Sequence, residues 1–404
     1  MKVAVISGSR ADYGLLRPTI SALHDDPRFE LALLVSAMHL QEAHGMTIRE
    51  IEADGFPIAA RVNAGEPIRR PGDFARNLGT ATVAFTDALA ESRPDLLLVL
   101  GDRYEVLAGA LAATGLSIPI AHLHGGELSE GSLDDAMRHC LTKLAHLHFV
   151  ATRQYAERVC QLGEEPWRVH VVGAAGLESI LGLDLLDRGA LAEALSLARL
   201  DAPLLAFTLH PASLEPDQAG EEARAVASAV DDVLDGQGTV VLTLPNDDPG
   251  SAEVRRQLLA WAAASDRVHA FPSLGQLRYL SLLRHSDAVV GNSSSAVIEA
   301  PAFKLPVVNV GERQRGRIQP ANVLGAPAER AAVAAALRKA LDPGFRASLT
   351  DMENPYGDGQ VSRRILEVLA AAPSGERLRR KRFFDLPDSS WRSGLRLGAD
   401  PCAS

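Results

Sequence analysis

Short apolar runs alternate with amphipathic stretches along most of the chain. In the first half the runs fall at 3–6, 31–35, 96–100, 118–121, 148–151 and 169–172. Helical spacing fills intervals between them, at 15–23, 74–90, 106–113 and 134–144. Uninterrupted β-rich runs separated by helices predict a parallel sheet with helices on both faces. The second half repeats the arrangement, with runs at 204–209, 239–244, 267–270, 288–290 and 307–310. The expected fold class is therefore α/β. Two doubly wound halves would face a cleft between the carboxyl ends of their sheets. The hinge is expected within 176–188.

Composition narrows the picture. A chain of 404 residues, 47% hydrophobic and 23% charged, is an ordinary globular protein and too long for one ordinary core. The net charge is -10 with Lys and Arg scattered, which argues against a nucleic-acid partner. An acidic protein that binds an anion needs a local cationic pocket. Cys140, Cys160 and Cys402 have no metal or redox spacing, and reduced cytosolic thiols are expected. The start of the chain lacks signal-peptide architecture, and no segment is long enough to span a membrane. The expected location is cytoplasmic, with no membrane partner.

Candidate chemistry falls after the apolar runs. The stretch Gly291-Asn292-Ser293-Ser294-Ser295 follows one run and precedes a segment, 296–303, that can start a helix. Small residues at such a turn let backbone N–H groups and hydroxyls close on an anion, aided by the helix dipole. Glu299 then lies within two turns, where a carboxylate can accept bonds from sugar hydroxyls. Phosphate donors beside a hydroxyl acceptor suggest a nucleotide. Taken alone, such a turn is more often an ordinary capped helix. The loop Ser7 to Gly14 carries Arg10, which is either a phosphate ligand or an exposed surface residue. Asp102, after the run at 96–100, points into a crevice or caps the next helix. His122 and His124 at i and i+2 would share one side of a strand, which suggests a metal, but no third ligand set accompanies them. Gly125 and Gly126 permit close approach of a ligand. Asp134, Asp135, Arg138 and His139 would occupy the first turns of a helix, where acidic residues suit the dipole.

In sequence order, Gly-Ser-Arg-Ala-Asp-Tyr-Gly (8–14), Gly-Asp-Arg (101–103) and His-Gly-Gly-Glu (124–127) are followed by Asp134-Asp135-x-x-Arg138-His139 and His210-Pro211. Leu-Pro-Asn-Asp-Asp (244–248), Gly-Asn-Ser-Ser (291–294) and Gly-Glu-Arg-Gln-x-Gly-Arg (311–317) complete the set. This ordered set resembles the UDP-N-acetylglucosamine 2-epimerase family, and most closely its hydrolysing branch, which feeds sialic acid and related nonulosonic acids. The resemblance implies two Rossmann-like domains of the glycosyltransferase B type. They would span 1–178, on the sugar side, and 179–357, which holds the nucleotide. A helix over 358–385, with the apolar spacing for that role at 360–371, would cross back to the first domain, and 386–404 would form a tail. The resemblance also implies a homo-oligomer, dimer or tetramer, and no metal or other cofactor.

On this resemblance Ser293 and Ser294 contact the diphosphate, Glu299 the ribose, and Arg313 adds charge near the phosphates. Arg10 and Arg103 reach phosphate or sugar from the first domain, and His124, Arg138 and Asn246 complete the substrate contacts. Asp102, Glu127, Asp134 and His210 are the implied catalytic residues. The implied reaction is anti elimination of UDP to a 2-acetamidoglucal, followed by rehydration to N-acetylmannosamine. One position departs: much of the family reads His-x-Glu where this chain reads His122-Leu123-His124. Either Glu127 or His124 takes the missing role, or the substrate differs. That leaves room for a 2,4-diacetamido-trideoxy sugar nucleotide of a legionaminic-acid type pathway. A glycosyltransferase of the same fold and a catalytically silent nucleotide-sugar sensor are the competing readings.

Overall fold

The computed structural model describes residues 1–42, 45–66, 71–129, 133–211, 218–245, 251–373 and 375–386. Asn246 and, of the expected tail, residues 387–404 lie outside the described residues.

The apolar runs form two parallel sheets. The first has seven strands: β1 (Lys2–Ser7), β2 (Glu30–Ser36), β3 (Ile58–Val62), β4 (Leu96–Leu100), β5 (Ile120–Leu123), β6 (Leu147–Val150) and β7 (Val169–Val171). Their order is β3-β2-β1-β4-β5-β6-β7. The second has β8 (Leu204–Thr208), β9 (Thr239–Thr243), β10 (Val268–Phe271), β11 (Ala288–Gly291), β12 (Val307–Val310) and β13 (Val323–Ala326), ordered β10-β9-β8-β11-β12-β13. Central strands such as β4, Leu-Leu-Leu-Val-Leu, are buried on both faces, which is why they read as continuous runs. The two strands that the pattern did not reveal, β3 and β13, are sheet edges. Each keeps exposed positions along its length.

Each strand order reverses once, between β1 and β4 and between β8 and β11. At such a switch point the helices leave to opposite faces and open a crevice at the carboxyl ends. The first crevice is floored by the loop after Ser7 and by Gly101-Asp102. The second is floored by Thr208 to His210 and by Gly291 to Ser294. Ser9 caps the helix Arg10–Asp25 by accepting from the Asp12 N–H at 3.3 Å, which fixes how the first loop enters its helix.

Separate apolar cores cover the faces of each sheet. A fifth cluster, including Tyr155, Leu177, Val297 and Tyr356, joins the two halves. The chain passes between them through the helices Gly176–Gly182 and Arg188–Ala194. The boundary expected at 178 falls inside the first of these.

The returning C-terminal segment is broken rather than a single helix over 358–385. The helix Val361–Ala371 packs Val361, Ile365, Leu366 and Leu369 into the core of the first sheet. Pro373 follows its end, and among the described residues a short helix, Glu376–Arg379, comes after. Beyond it the segment is fastened by charge. Arg168, 1% exposed, donates to the carbonyls of Leu378 (2.9 Å) and Arg380 (3.0 Å) and to that of His146 (3.1 Å). Lys381 Nζ lies 2.8 Å from the buried carboxylate of Glu164, which Lys143 also approaches at 2.5 Å.

Arg168→Ala would leave three carbonyls without a donor. The expected cost is roughly 2–4 kcal/mol of stability. Urea denaturation of the variant beside the parent measures it, and an unchanged midpoint would show that the clamp is dispensable.

Candidate active site

The nucleotide-side candidates gather at the β8/β11 switch point. Gly291 pairs with Thr208 and has φ 141. A Cβ there would sit 1.8 Å from the Thr208 carbonyl oxygen, so only glycine lets the strands approach this closely. The next residue, Asn292, is 4% exposed and locks the two strand ends together. Its Oδ1 accepts from the His210 N–H (2.7 Å), and its Nδ2 donates to the His210 carbonyl (2.8 Å). Gln314 Nε2 donates to the Asn292 carbonyl at 2.8 Å, and Arg313 Nη1 lies 3.4 Å from the same oxygen.

The segment 296–303, expected to start a helix, lies in two short helical pieces. The α-helix Ser294–Ile298 gives way to a 3-10 turn, Ala300–Phe303, with Pro301 in its first turn. Proline lacks the N–H that would continue the α pattern. Ser293 makes no side-chain cap. Glu299 stands at the junction, accepts from the Ser295 hydroxyl, and faces the first half of the molecule. A Cβ on Gly176 would lie 3.1 Å from its Oε1. Burial pushes the Glu299 carboxyl up to about 7, and the Ser295 bond offsets this only in part. Tyr279, 2.9 Å from Ser295 Oγ, is pushed above its usual range by burial and by Glu299.

The sugar-side candidates gather at the carboxyl ends of β4 and β5. Arg138, from the helix Leu133–Leu144, is 5% exposed. Its Nη2 donates to Asp102 and to Ser129 Oγ (3.2 Å), while its Nε and Nη1 are buried with no partner among the described residues. Asp134 is exposed on the first turn of the same helix.

The two histidines do not share a face. β5 ends at Leu123, and His124 takes φ 63, so the strand alternation stops between them. His122 is fully buried, with Nε2 2.7 Å from the Gly101 carbonyl and Nδ1 3.3 Å from the Thr142 hydroxyl. Burial holds it down at about 3, and it serves as a neutral strut. Among the described residues no group of three His, Cys, Asp or Glu could hold a metal.

His124 accepts the Ala175 N–H at Nε2 (3.2 Å), so its proton is on Nδ1, which donates to Glu127 Oε1 (2.5 Å). Glu127 Oε2 lies 3.8 Å from Arg317 Nη1. Burial pushes Glu127 up, but His124, Arg317 and Arg138 outweigh it and hold the carboxyl at about 2.

Two arginines are occupied elsewhere. Arg10 is 62% exposed at the cleft mouth and pairs with Glu50 at 3.1 Å. Arg103 Nε lies 2.5 Å from the buried Glu105 carboxylate and 3.9 Å from Asp12, and its Nη2 meets Met38 Sδ at 3.3 Å. Burial lifts Asp12 to about 6 even though Arg103 and Ser9 pull it down. The structure thus brings Asp102, His124, Glu127 and Arg138 together on one side. On the other it gathers His210, Ser293, Ser294, Glu299 and Arg313. Arg317, Gln314 and the Ala175 N–H were not singled out from the sequence. Arg317 and Gln314 stood inside a quoted motif, but nothing in the string marked the contacts they make.

The match to the UDP-N-acetylglucosamine 2-epimerase family model covers residues 21–370. UDP-N,N'-diacetylbacillosamine 2-epimerase (hydrolyzing) of Legionella pneumophila is 34% identical, over 92% of this chain and 96% of that one. UDP-N-acetylglucosamine 2-epimerase of Neisseria meningitidis serogroup B is 31% identical, over 95% and 99%. The structure of a Neisseria meningitidis UDP-GlcNAc 2-epimerase bound to UDP-GlcNAc shares the fold, with a TM-score of 0.73 at 19% identity, over 92% of this chain and all of that one. The chain therefore belongs to the UDP-N-acetylglucosamine 2-epimerase family and to its hydrolysing branch. It is a hydrolysing nucleotide-sugar 2-epimerase, which sets aside both the silent sensor and the glycosyltransferase readings. No helix among the described residues is long and apolar enough to cross a membrane.

Glu299 offers a test of the site's electrostatics. Its folded carboxyl keeps a proton to higher pH than an unfolded glutamate, so the folded state binds more protons between about 4.5 and 7. Its contribution to stability is full below that window and is lost as pH rises through it. Denaturation of the parent and Glu299→Gln at pH 5 and pH 8 is expected to show the variant relatively more stable at pH 8. Equal differences at both pH values would place Glu299 in ordinary solvent.

Proposed function

We propose that the protein cleaves a UDP-linked 2-acetamido sugar at C1 and inverts it at C2, releasing UDP and a free sugar. The observation that carries this reading is the facing of two unlike groups across the switch points. One is a serine turn with a carboxylate behind it. The other is a charged cluster built on Asp102, His124, Glu127 and Arg138.

A proton leaves C2 as the C1–O bond breaks. The C2–H electron pair becomes a C1=C2 double bond, and UDP departs with the C1–O electrons. Water then gives its oxygen to C1, and a proton reaches C2 on the opposite face. The balance is nucleotide sugar plus water to UDP plus the C2 epimer. Ser293, Ser294 and Arg313 stabilise the diphosphate where its charge develops. Glu299 accepts from the ribose, and Arg10 joins from the cleft mouth on releasing Glu50. Asp102, Asp134 and His210 carry proton transfers. Glu127, ionised at about 2, has little affinity for a proton at neutral pH, so its part is to orient His124. The unpartnered N–H groups of Arg138 fit an acetamido carbonyl. Arg103 shapes the pocket through Glu105 and Asp12 more than it contacts phosphate.

The Legionella relative favours a 2,4-diacetamido-2,4,6-trideoxy sugar as the substrate. The Neisseria relative favours UDP-N-acetylglucosamine as the second.

With either nucleotide sugar in heavy water, NMR should show UDP and a free sugar inverted at C2 and carrying deuterium there. A product that keeps its nucleotide, or one without deuterium at C2, would sink the mechanism. The sugar released faster at equal concentration identifies the substrate.

Two substitutions separate binding from chemistry. Glu299→Ala should weaken UDP binding by roughly 1.5–3 kcal/mol in calorimetry. Asp102→Asn should lower turnover by about 10²–10⁴-fold with little change in UDP affinity. Near-normal turnover in Asp102→Asn would leave Asp102 as a partner of Arg138 alone.

A further inference from the structure

The two halves of the site meet at a carboxylate that takes no proton in this reaction. Glu127 is 4% exposed, in the first half of the molecule. Arg317, 3.8 Å from it, belongs to the loop after β12 in the second half, with 15% of its side chain exposed. That loop is itself fixed. Gly316 has φ 82, the Arg317 N–H donates to the Gln314 carbonyl (3.2 Å), and the Tyr356 hydroxyl donates to the Ile318 carbonyl (3.0 Å). On the far side of Glu127, His124 bonds the Ala175 N–H just before the linking helix. The next residue, Gly176, makes room for Glu299. Contacts therefore run from Arg317 through Glu127 and His124 to Ala175, and end beside the carboxylate assigned to the ribose.

We infer that Arg317 is a positioning residue. It holds Glu127, and through it the His124 imidazole, in place across the cleft, so that the sugar side is aligned only when the two halves are together. The inference rests on the proposed reaction. A buried carboxylate that loses one of its cationic neighbours gains reason to turn toward water, and the imidazole would follow it. Among the described interactions Arg317 meets Glu127 and not Ser293, Ser294 or Glu299, so an effect on alignment can be told from one on nucleotide binding by experiment.

The test uses the full chain with Arg317→Gln, Arg317→Lys and, as a control, Arg315→Gln. Arg315 is exposed and, among the described residues, pairs with Glu312 at 3.9 Å. With a nucleotide sugar that the parent turns over, Arg317→Gln should lower kcat by about 10–100-fold while the UDP Kd from calorimetry stays within about threefold. Arg317→Lys should recover a good part of the loss, and the control should behave as the parent. Hydrogen exchange, followed by mass spectrometry without substrate, should show faster exchange around Ala175 in Arg317→Gln alone. A kcat within twofold of the parent overturns the inference, as does a fall in UDP affinity as large as the fall in kcat. Unchanged exchange around Ala175 overturns it too, and that measurement stands even if no nucleotide sugar is turned over and the proposed reaction fails.

Discussion

The Asn292 carboxamide closes a ring of two hydrogen bonds on the backbone of His210, and the nucleotide side of the site hangs from that closure. It is possible only because Gly291 carries no side chain where its Cβ would strike the Thr208 carbonyl. The two strands at the switch point are thereby held closer than any other residue would allow. From this fixed point the serine turn starts its short helix, Glu299 is carried round to face the first sheet, and the loop bearing Arg313 and Gln314 is tied down. Buried amide groups that satisfy one another fully are rigid, since each alternative arrangement leaves a polar group without a partner.

Two glutamates show how one side-chain type is set to opposite states by its surroundings. Among the described residues Glu299 has a single hydroxyl partner and no cation that offsets its burial, so its carboxyl rises to about 7. Glu127 is buried as well, but an imidazole and two guanidiniums surround it, and it falls to about 2. The first holds its proton until near neutral pH. The second is a permanent charge. On the proposed reading, the charge that His124 does not carry is supplied three residues later by Glu127, which leans on the imidazole.

The crossing C-terminal segment ties the architecture to its own start. The helix Val361–Ala371 adds apolar side chains to the first core, and beyond Pro373 the contacts change character to Arg168 and Glu164 holding backbone and lysine. Tyr155 and Tyr356, with hydroxyls 3.4 Å apart, stand where this segment, the first half and the second half all meet. The relation of the halves is therefore set by packing near the linker as well as by the Arg317–Glu127 pair across the cleft.

The sequence by itself determined the class of fold, the central strands and the order of the motifs, since these follow from runs of apolar residues and from local turn chemistry. It missed β3 and β13 because edge strands keep one side in water and lose the unbroken apolar run. It placed His122 and His124 on one face because alternation was assumed to continue, whereas the left-handed backbone at His124 ends it. It could not show that Arg103 lies against the buried Glu105 carboxylate and near Asp12, because those pairings depend on how the loops fold together. Only the tertiary structure decided which charges neutralise one another, which imidazole is a strut, and that Arg317 reaches Glu127 from the other half. Periodicity reports where a side chain points relative to its own strand or helix. The energy of a charge depends instead on what distant segments bring within a few ångströms of it.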